Sequence, residues 1–280
     1  MSGPTAAQAM AAAVARLREA GVADPARDAR LLLAHAARID AARVSLIAPE
    51  PLEPAIAERF DTLVAGREAR RPVSQLIGER QFYGRRFQVS GDVLDPRPET
   101  EILIEAALAE PFGHILDLGL GSGCILVTLL AERSLATGVG VDLSEAACLQ
   151  AGANAVLHGV APRADILRSD WFAEVVGAFD LIVSNPPYIR RGDWERLEPE
   201  VRDFEPEMAL VAGEDGLGAY RVLAAQAGSY LAPGGRLLME IGPDQADEVC
   251  GLLSLAGLKE ARVVQDMDGR DRVVMARASD

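Results

Sequence analysis

The hexapeptide Ser184-Asn185-Pro186-Pro187-Tyr188-Ile189 follows the apolar run 179–183. Two consecutive prolines cannot donate to a sheet ladder, so a strand stops there and leaves a carboxamide, two rigid carbonyls and a phenol at its carboxyl end. An amide or aromatic amine is a poor nucleophile because its nitrogen lone pair is delocalised. A transferase acting on one must aim that lone pair at an electrophile. The Asn185 side-chain oxygen and the Pro186 carbonyl can accept both N–H groups of a substrate NH2, while Tyr188 offers a flat surface to its planar group. Fixing two acceptors orients the nitrogen and stabilises positive charge developing on it. Asn185, Pro186 and Tyr188 are therefore the expected catalytic residues, and Asn185, Pro186, Pro187 and Tyr188 the expected substrate-binding stretch.

Three other segments point to the electrophile. Ile115-Leu116-Asp117-Leu118-Gly119-Leu120-Gly121-Ser122-Gly123 reads as a buried strand running into a glycine loop and a helix. Missing Cβ atoms let backbone approach a nucleotide-like ligand, and the helix terminus supplies free N–H groups. The next strand ends in Asp142, positioned to accept hydrogen bonds from ribose hydroxyls. A third ends Arg168-Ser169-Asp170-Trp171-Phe172, where an acid beside an aromatic suits adenine. Each feature has a structural counterpart: a tight turn for the glycines, a cap on the helix starting at Ser144 for Asp142, ordinary core for Trp171. With no phosphate-binding Lys and no P-loop, the ligand most consistent with these residues is S-adenosylmethionine.

These side chains need a scaffold. Strands are expected at 114–118, 138–142, 164–168, 179–184, 235–241, 261–265 and 272–276, with helices in most intervals, as in a parallel sheet covered on both faces. The last two lack an intervening helix and meet around Asp268-Gly269, so they form an antiparallel hairpin. The expected fold class is α/β, a seven-stranded Rossmann-like sheet ending in an antiparallel hairpin, preceded by a small all-α domain. In that domain Thr5-Ala6-Ala7-Gln8 reads as a capping box for a helix to about Ala20, ended by Gly21; Asp24-Pro25 opens a second helix, and 41–47 and 55–70 read as two more. The expected domains are 1–75, a helical bundle; 76–93, a β-hairpin connector; and 94–280, the catalytic domain.

Composition excludes several classes. With 280 residues, 49% of them hydrophobic, the chain can bury a core, and charged residues interrupt every candidate membrane span. Residues 1–15 lack the basic start and dense Leu/Val centre of a secretory signal, so a cytoplasmic location is expected. Residues 1–75 carry 10 Arg against 9 acids, whereas the remainder carries 18 basic and 33 acidic residues. A protein gripping phosphate backbones would show the opposite sign, so no direct nucleic-acid or membrane partner is expected. Cys124, Cys148 and Cys250, like His35, His114 and His158, have no ligand spacing, and no metal is expected.

The glycine-loop segment, Ser169-Asp170-Trp171-Phe172 and Val183-Ser184-Asn185-Pro186-Pro187-Tyr188-Ile189 closely resemble the HemK/PrmC family of peptide chain release factor glutamine methyltransferases. So do Asp95-Pro96-Arg97-Pro98-Glu99-Thr100-Glu101, Phe204-Glu205-Pro206 and Leu238-Met239-Glu240-Ile241-Gly242. The resemblance covers almost the whole chain. It implies methyl transfer from S-adenosylmethionine, with S-adenosylhomocysteine as product, to the side-chain N5 of the glutamine in the Gly-Gly-Gln motif of class I release factors, by a protein expected to be monomeric. It further implies that Gly119, Leu120, Gly121, Ser122 and Gly123 hold the cofactor's methionine end, Asp142 its ribose, and Asp170 and Trp171 its adenine. Arg97 and Thr100 then line the pocket near the methyl donor, with Asn185 alongside, and the helical domain helps to recognise the protein substrate. Leu120 is a departure, since the family usually has Thr or Gly there. A ribosomal-protein glutamine methyltransferase, a DNA amino-methyltransferase and a non-catalytic cofactor-binding module are the competing readings.

Overall fold

The computed structural model describes residues 3–278; Met1 and Ser2, where the leader-peptide reading begins, lie outside the described residues. The chain divides into two compact units. One takes in the chain up to Glu79 together with a later segment, Glu198–Phe204, and the other holds Arg80–Leu197 and the chain from Glu205 onward.

The first unit is helical, with its longer helices at Ala6–Glu19, Pro25–Ala37 and Pro54–Glu68. Thr5 accepts from the Gln8 amide and its own N–H reaches the Gln8 side chain at 2.9 Å, which closes the capping box. Asp24 caps the second helix ahead of Pro25. The stretch read as one helix over 41–47 is instead a 3₁₀ turn, Ala41–Arg43, followed by a single α-turn, Val44–Ile47. The Asp40 carboxylate takes the Ala42 amide only two residues on, and that tight local bond favours the narrower turn. Leu17, Leu32, Leu33 and Phe60 pack the interior. Arg67 is almost wholly buried between Asp28, at 2.7 Å, and Glu200, at 2.8 Å, and Arg70 grips both Glu200 oxygens. Charges taken out of water persist only when paired this closely.

After a hairpin of β1 (Glu79–Phe82) and β2 (Arg85–Gln88), the second unit is built on a seven-stranded sheet. Its strands are β3 (His114–Leu118), β4 (Thr137–Asp142), β5 (Ala164–Arg168), β6 (Phe179–Ser184), β7 (Leu231–Glu240), β8 (Lys259–Gln265) and β9 (Asp271–Arg277), in the order β5-β4-β3-β6-β7-β9-β8. All neighbours from β5 to β7 are parallel, while β9 runs antiparallel to both β7 and β8. The strand expected at 235–241 starts at Leu231, because its register against β6 shifts between Phe179 and Leu181 and the irregularity absorbs Pro233-Gly234. Ile115, Leu126 and Leu129 belong to the core on one face of the sheet, and Leu116, Tyr220 and Leu223 to the core on the other. The order reverses between β3 and β6, so the carboxyl ends of β3, β4, β5 and β6 converge at the crevice where open α/β sheets bind ligands. Among the described residues no helix is long and apolar enough to cross a membrane.

Candidate active site

The glycine loop is fastened by its own backbone. The N–H groups of Gly119 and Leu120 both donate to the Val141 carbonyl at 3.0 Å, and that of Gly123 to the Leu120 carbonyl at 2.8 Å. Gly119, Gly121 and Gly123 sit at φ of 77°, 53° and 77°, a left-handed region that a side chain would strain. Leu120 is buried, and its methyl groups lie over Gly140 and join the core around Leu126. The glycine opposite it makes room for this bulky side chain. Gly123 serves packing, since a Cβ there would stand 2.9 Å from that of Ala151.

Asp142 ties this loop to the second strand end. One of its oxygens accepts from the Gly121 amide at 2.8 Å and the other from the Ser144 amide at 2.9 Å. The helix Glu145–Leu157 is capped by the Ser144 hydroxyl, which takes the Ala147 amide at 3.2 Å. Asp142 is therefore not the cap, and each carboxylate oxygen keeps a further lone pair for a ligand hydroxyl. Buried Asn154 adds a brace: its Nδ2 donates to the Gln88 and Ser122 carbonyls at 2.9 and 2.8 Å, while its Oδ1 accepts the Gln88 amide at 2.8 Å.

Trp171 adopts φ 50°, rare for a bulky residue, and its ring lies against Gly119, 3.9 Å from where a Cβ there would stand. Ser169 holds that turn: its hydroxyl donates to the Trp171 carbonyl at 2.9 Å and accepts the Glu174 amide at 3.0 Å.

At the fourth strand end the Asn185 Nδ2 donates to Thr100 Oγ1 at 3.1 Å. Pro186 is buried. Tyr188 packs against the core that contains Tyr220; its amide donates to the Leu210 carbonyl, and its carbonyl accepts from Gln245 Nε2 at 3.1 Å. Burial pushes its phenol up to about 12. Arg97 grips Glu205 through one nitrogen, at 2.7 and 2.6 Å from the two oxygens. Burial pushes the Glu205 carboxyl up to about 7, with Arg97 opposing the rise and Asp95 adding to it.

One cavity joins these groups. Every residue expected to bind cofactor lines it except Gly123, and Pro187 lines it too; Pro186 and Tyr188 stand outside the lining. Four acids, Asp92, Asp95, Asp142 and Asp170, face it against one cation, Arg97, which is already paired with Glu205. That balance suits a cationic nucleoside and disfavours a polyphosphate. Ser169, Asn154, Glu205 and Gln245 were not among the expected site residues. Glu240 was likewise missed: its buried carboxyl is pushed up to about 7 by burial and faces Thr100 and Asn185. For Glu205 and Glu240 the available signal was an acid set among apolar residues.

A parallel sheet of this order, with a glycine loop, an acid and an aromatic at its carboxyl edge, defines a Rossmann-like methyltransferase. Residues 89–197 match the family described as Methyltransferase small domain, and residues 8–78 that described as PrmC N-terminal domain. A methyltransferase from Pyrococcus furiosus shares the fold at a TM-score of 0.53 and 17% identity, over 70% of this chain and 90% of that one. The release factor glutamine methyltransferase of Cereibacter sphaeroides is 57% identical over 97% of this chain and 98% of its own length, and that of Rhodospirillum rubrum 46% identical over 94% and 82%. The chain belongs to the release factor glutamine methyltransferase family.

Proposed function

We propose that this enzyme methylates the side-chain N5 of the glutamine in the Gly-Gly-Gln motif of class I release factors. S-adenosylmethionine, when bound, supplies a methyl group on a sulfonium and leaves as S-adenosylhomocysteine. Gly119 and Gly121 let backbone approach its methionine end, Asp142 receives its ribose hydroxyls, and Asp170 with Trp171 flanks its adenine. The acidic lining supports a cationic ligand.

The observation that carries the reading is the direction of the Asn185 amide. Its nitrogen is engaged by Thr100, so its oxygen is left to accept from a substrate NH2. With the Pro186 carbonyl as second acceptor, the substrate nitrogen is held with its lone pair facing the methyl carbon. The nitrogen that has taken the methyl group would release its proton to solvent. The two oxygens stabilise the positive charge on nitrogen until that proton leaves. The helical unit is assigned a share in recognising the intact release factor, a reading supported by its match to the PrmC N-terminal domain.

Incubating the protein with methyl-labelled cofactor and a class I release factor, followed by mass spectrometry, tests this. One labelled methyl on the Gly-Gly-Gln glutamine is expected. Label appearing only on a ribosomal protein or on DNA overturns the assignment.

A further inference from the structure

Ser184 is in register with Met239 on the neighbouring parallel strand. The next residue along the chain is Asn185, just past the end of β6, on one side and Glu240, the last residue of β7, on the other, so the two are neighbours at the sheet's carboxyl edge. Glu240 is 2% exposed, and its Oε2 has no hydrogen-bond partner among the described residues. Thr100 and Asn185 are the polar side chains that favour its ionised form, and Thr100 Oγ1 in turn accepts from the Asn185 Nδ2 at 3.1 Å. A carboxyl buried this deeply costs free energy that a leucine would not, and when ionised more than a glutamine would.

We propose that Glu240 is a positioning residue for methyl transfer: with Thr100 it holds the nitrogen side of the Asn185 amide inward, so that Oδ1 is presented to the substrate. The inference rests on the assignment of Asn185 as the substrate clamp. An ionised carboxylate only accepts, so both Thr100 and the Asn185 NH2 can point at it. Protonated, or replaced by a carboxamide, the group at 240 carries a donor of its own that opposes the Asn185 NH2. Turning the Asn185 amide over relieves that conflict and aims its NH2 at the substrate nitrogen, which removes the acceptor. The groups facing Glu240 are Glu99 and Thr100 ahead of the helix Glu101–Leu108, Asn185 and Tyr188 beyond β6, Arg272 on β9, Tyr220 on the helix Gly218–Ala227 and Cys124 at the start of the helix Cys124–Glu132. Of these, Arg272 favours the ionised form and Glu99 opposes it. Burial is the largest influence and moves ionisation to about 7.

The test is steady-state methylation of a release factor by Glu240→Gln, with Asn185→Ala, Thr100→Val and Thr100→Ser alongside. Glu240→Gln is expected to lower kcat by about 10²-fold while cofactor affinity stays within about twofold, as for misaimed but correctly assembled machinery. The wild-type kcat is expected to fall as pH drops below about 7, and Glu240→Gln to lack that limb. Glu205 ionises in the same range, so Glu205→Gln must leave the limb in place. Thr100→Ser should retain turnover that Thr100→Val loses. If Glu240→Gln turns over like wild type while Asn185→Ala is dead, the positioning role is overturned and the proposed function stands. If Asn185→Ala remains active, the clamp itself is wrong and this inference goes with it.

Discussion

Leu120 closes over Gly140: a methyl group added at residue 140 would stand 2.6 Å from Leu120 Cδ1 and 2.9 Å from Leu126 Cδ2. The two positions are therefore coupled. Gly140→Ala is expected to destabilise the protein by about 1–3 kcal/mol, as overpacking does. It should also weaken cofactor binding, because Leu120 lines the cavity and its displacement changes that wall. Adding Leu120→Ala should restore much of both. Thermal unfolding and cofactor titration of the single and double variants measure the coupling; strictly additive effects would refute it.

Asp142 tethers Gly121 at 2.8 Å, and in the proposed function it also receives the ribose hydroxyls. Asp142→Ala is expected to weaken cofactor affinity by on the order of 10–100-fold, the loss of one or two hydrogen bonds to a charged acceptor. Asp142→Asn should fall between, since an amide oxygen can still take one of the two backbone donors. Calorimetric titration with S-adenosylhomocysteine reads both.

Stability should fall as pH rises, contrary to the common pattern for salt-bridged acids. Burial pushes Asp117 up to about 8 and Glu205 and Glu240 up to about 7. In the unfolded chain these carboxyls ionise in the ordinary range, so between that range and about 8 the folded state binds more protons. Their contribution is complete below the unfolded values and is lost as pH climbs through the folded ones. Tm measured from pH 5.5 to 8.5 should decline, and Asp117→Asn should flatten the upper part of the curve. The amide at 117 still offers an oxygen to the Leu126 N–H, which Asp117 now takes at 3.1 Å.

Ser169 supports the left-handed Trp171. Ser169→Ala removes both hydroxyl bonds and is expected to cost about 1–2 kcal/mol. Because the indole then loses its fixed stance, cofactor affinity should fall while kcat at saturating cofactor stays near wild type. Equal loss of kcat would show that the turn also serves the chemistry.

The strand ends were legible because each is announced locally. An apolar run meets Gly119 after β3 and Pro186 just past Asn185 after β6, while at β4 and β5 the acids Asp142 and Asp170 mark the end. The antiparallel ending was legible because no helix fits before Asp268-Gly269. Glu240 was a different matter. It ends an apolar strand like other acids here, and only the register of β6 against β7 sets it beside Asn185. Asn154 stands 66 residues from Gln88, and nothing within its own helix predicts that its amide serves a distant strand. Segment Glu198–Phe204 carries no local signal of its place, and its membership of the helical unit depends on Arg67 and Arg70, 130 or more positions away.

That last feature bears on how such a protein can be taken apart or recombined. The helical unit is not a module on a string, because the chain leaves it at Glu79 and comes back for seven residues before departing again. Grafting a foreign amino-terminal unit onto this enzyme would strand the Glu200 carboxylate without its two guanidinium partners. A viable chimera therefore has to exchange both pieces together, and lineages that swap one half should show matched changes at 67, 70 and 200.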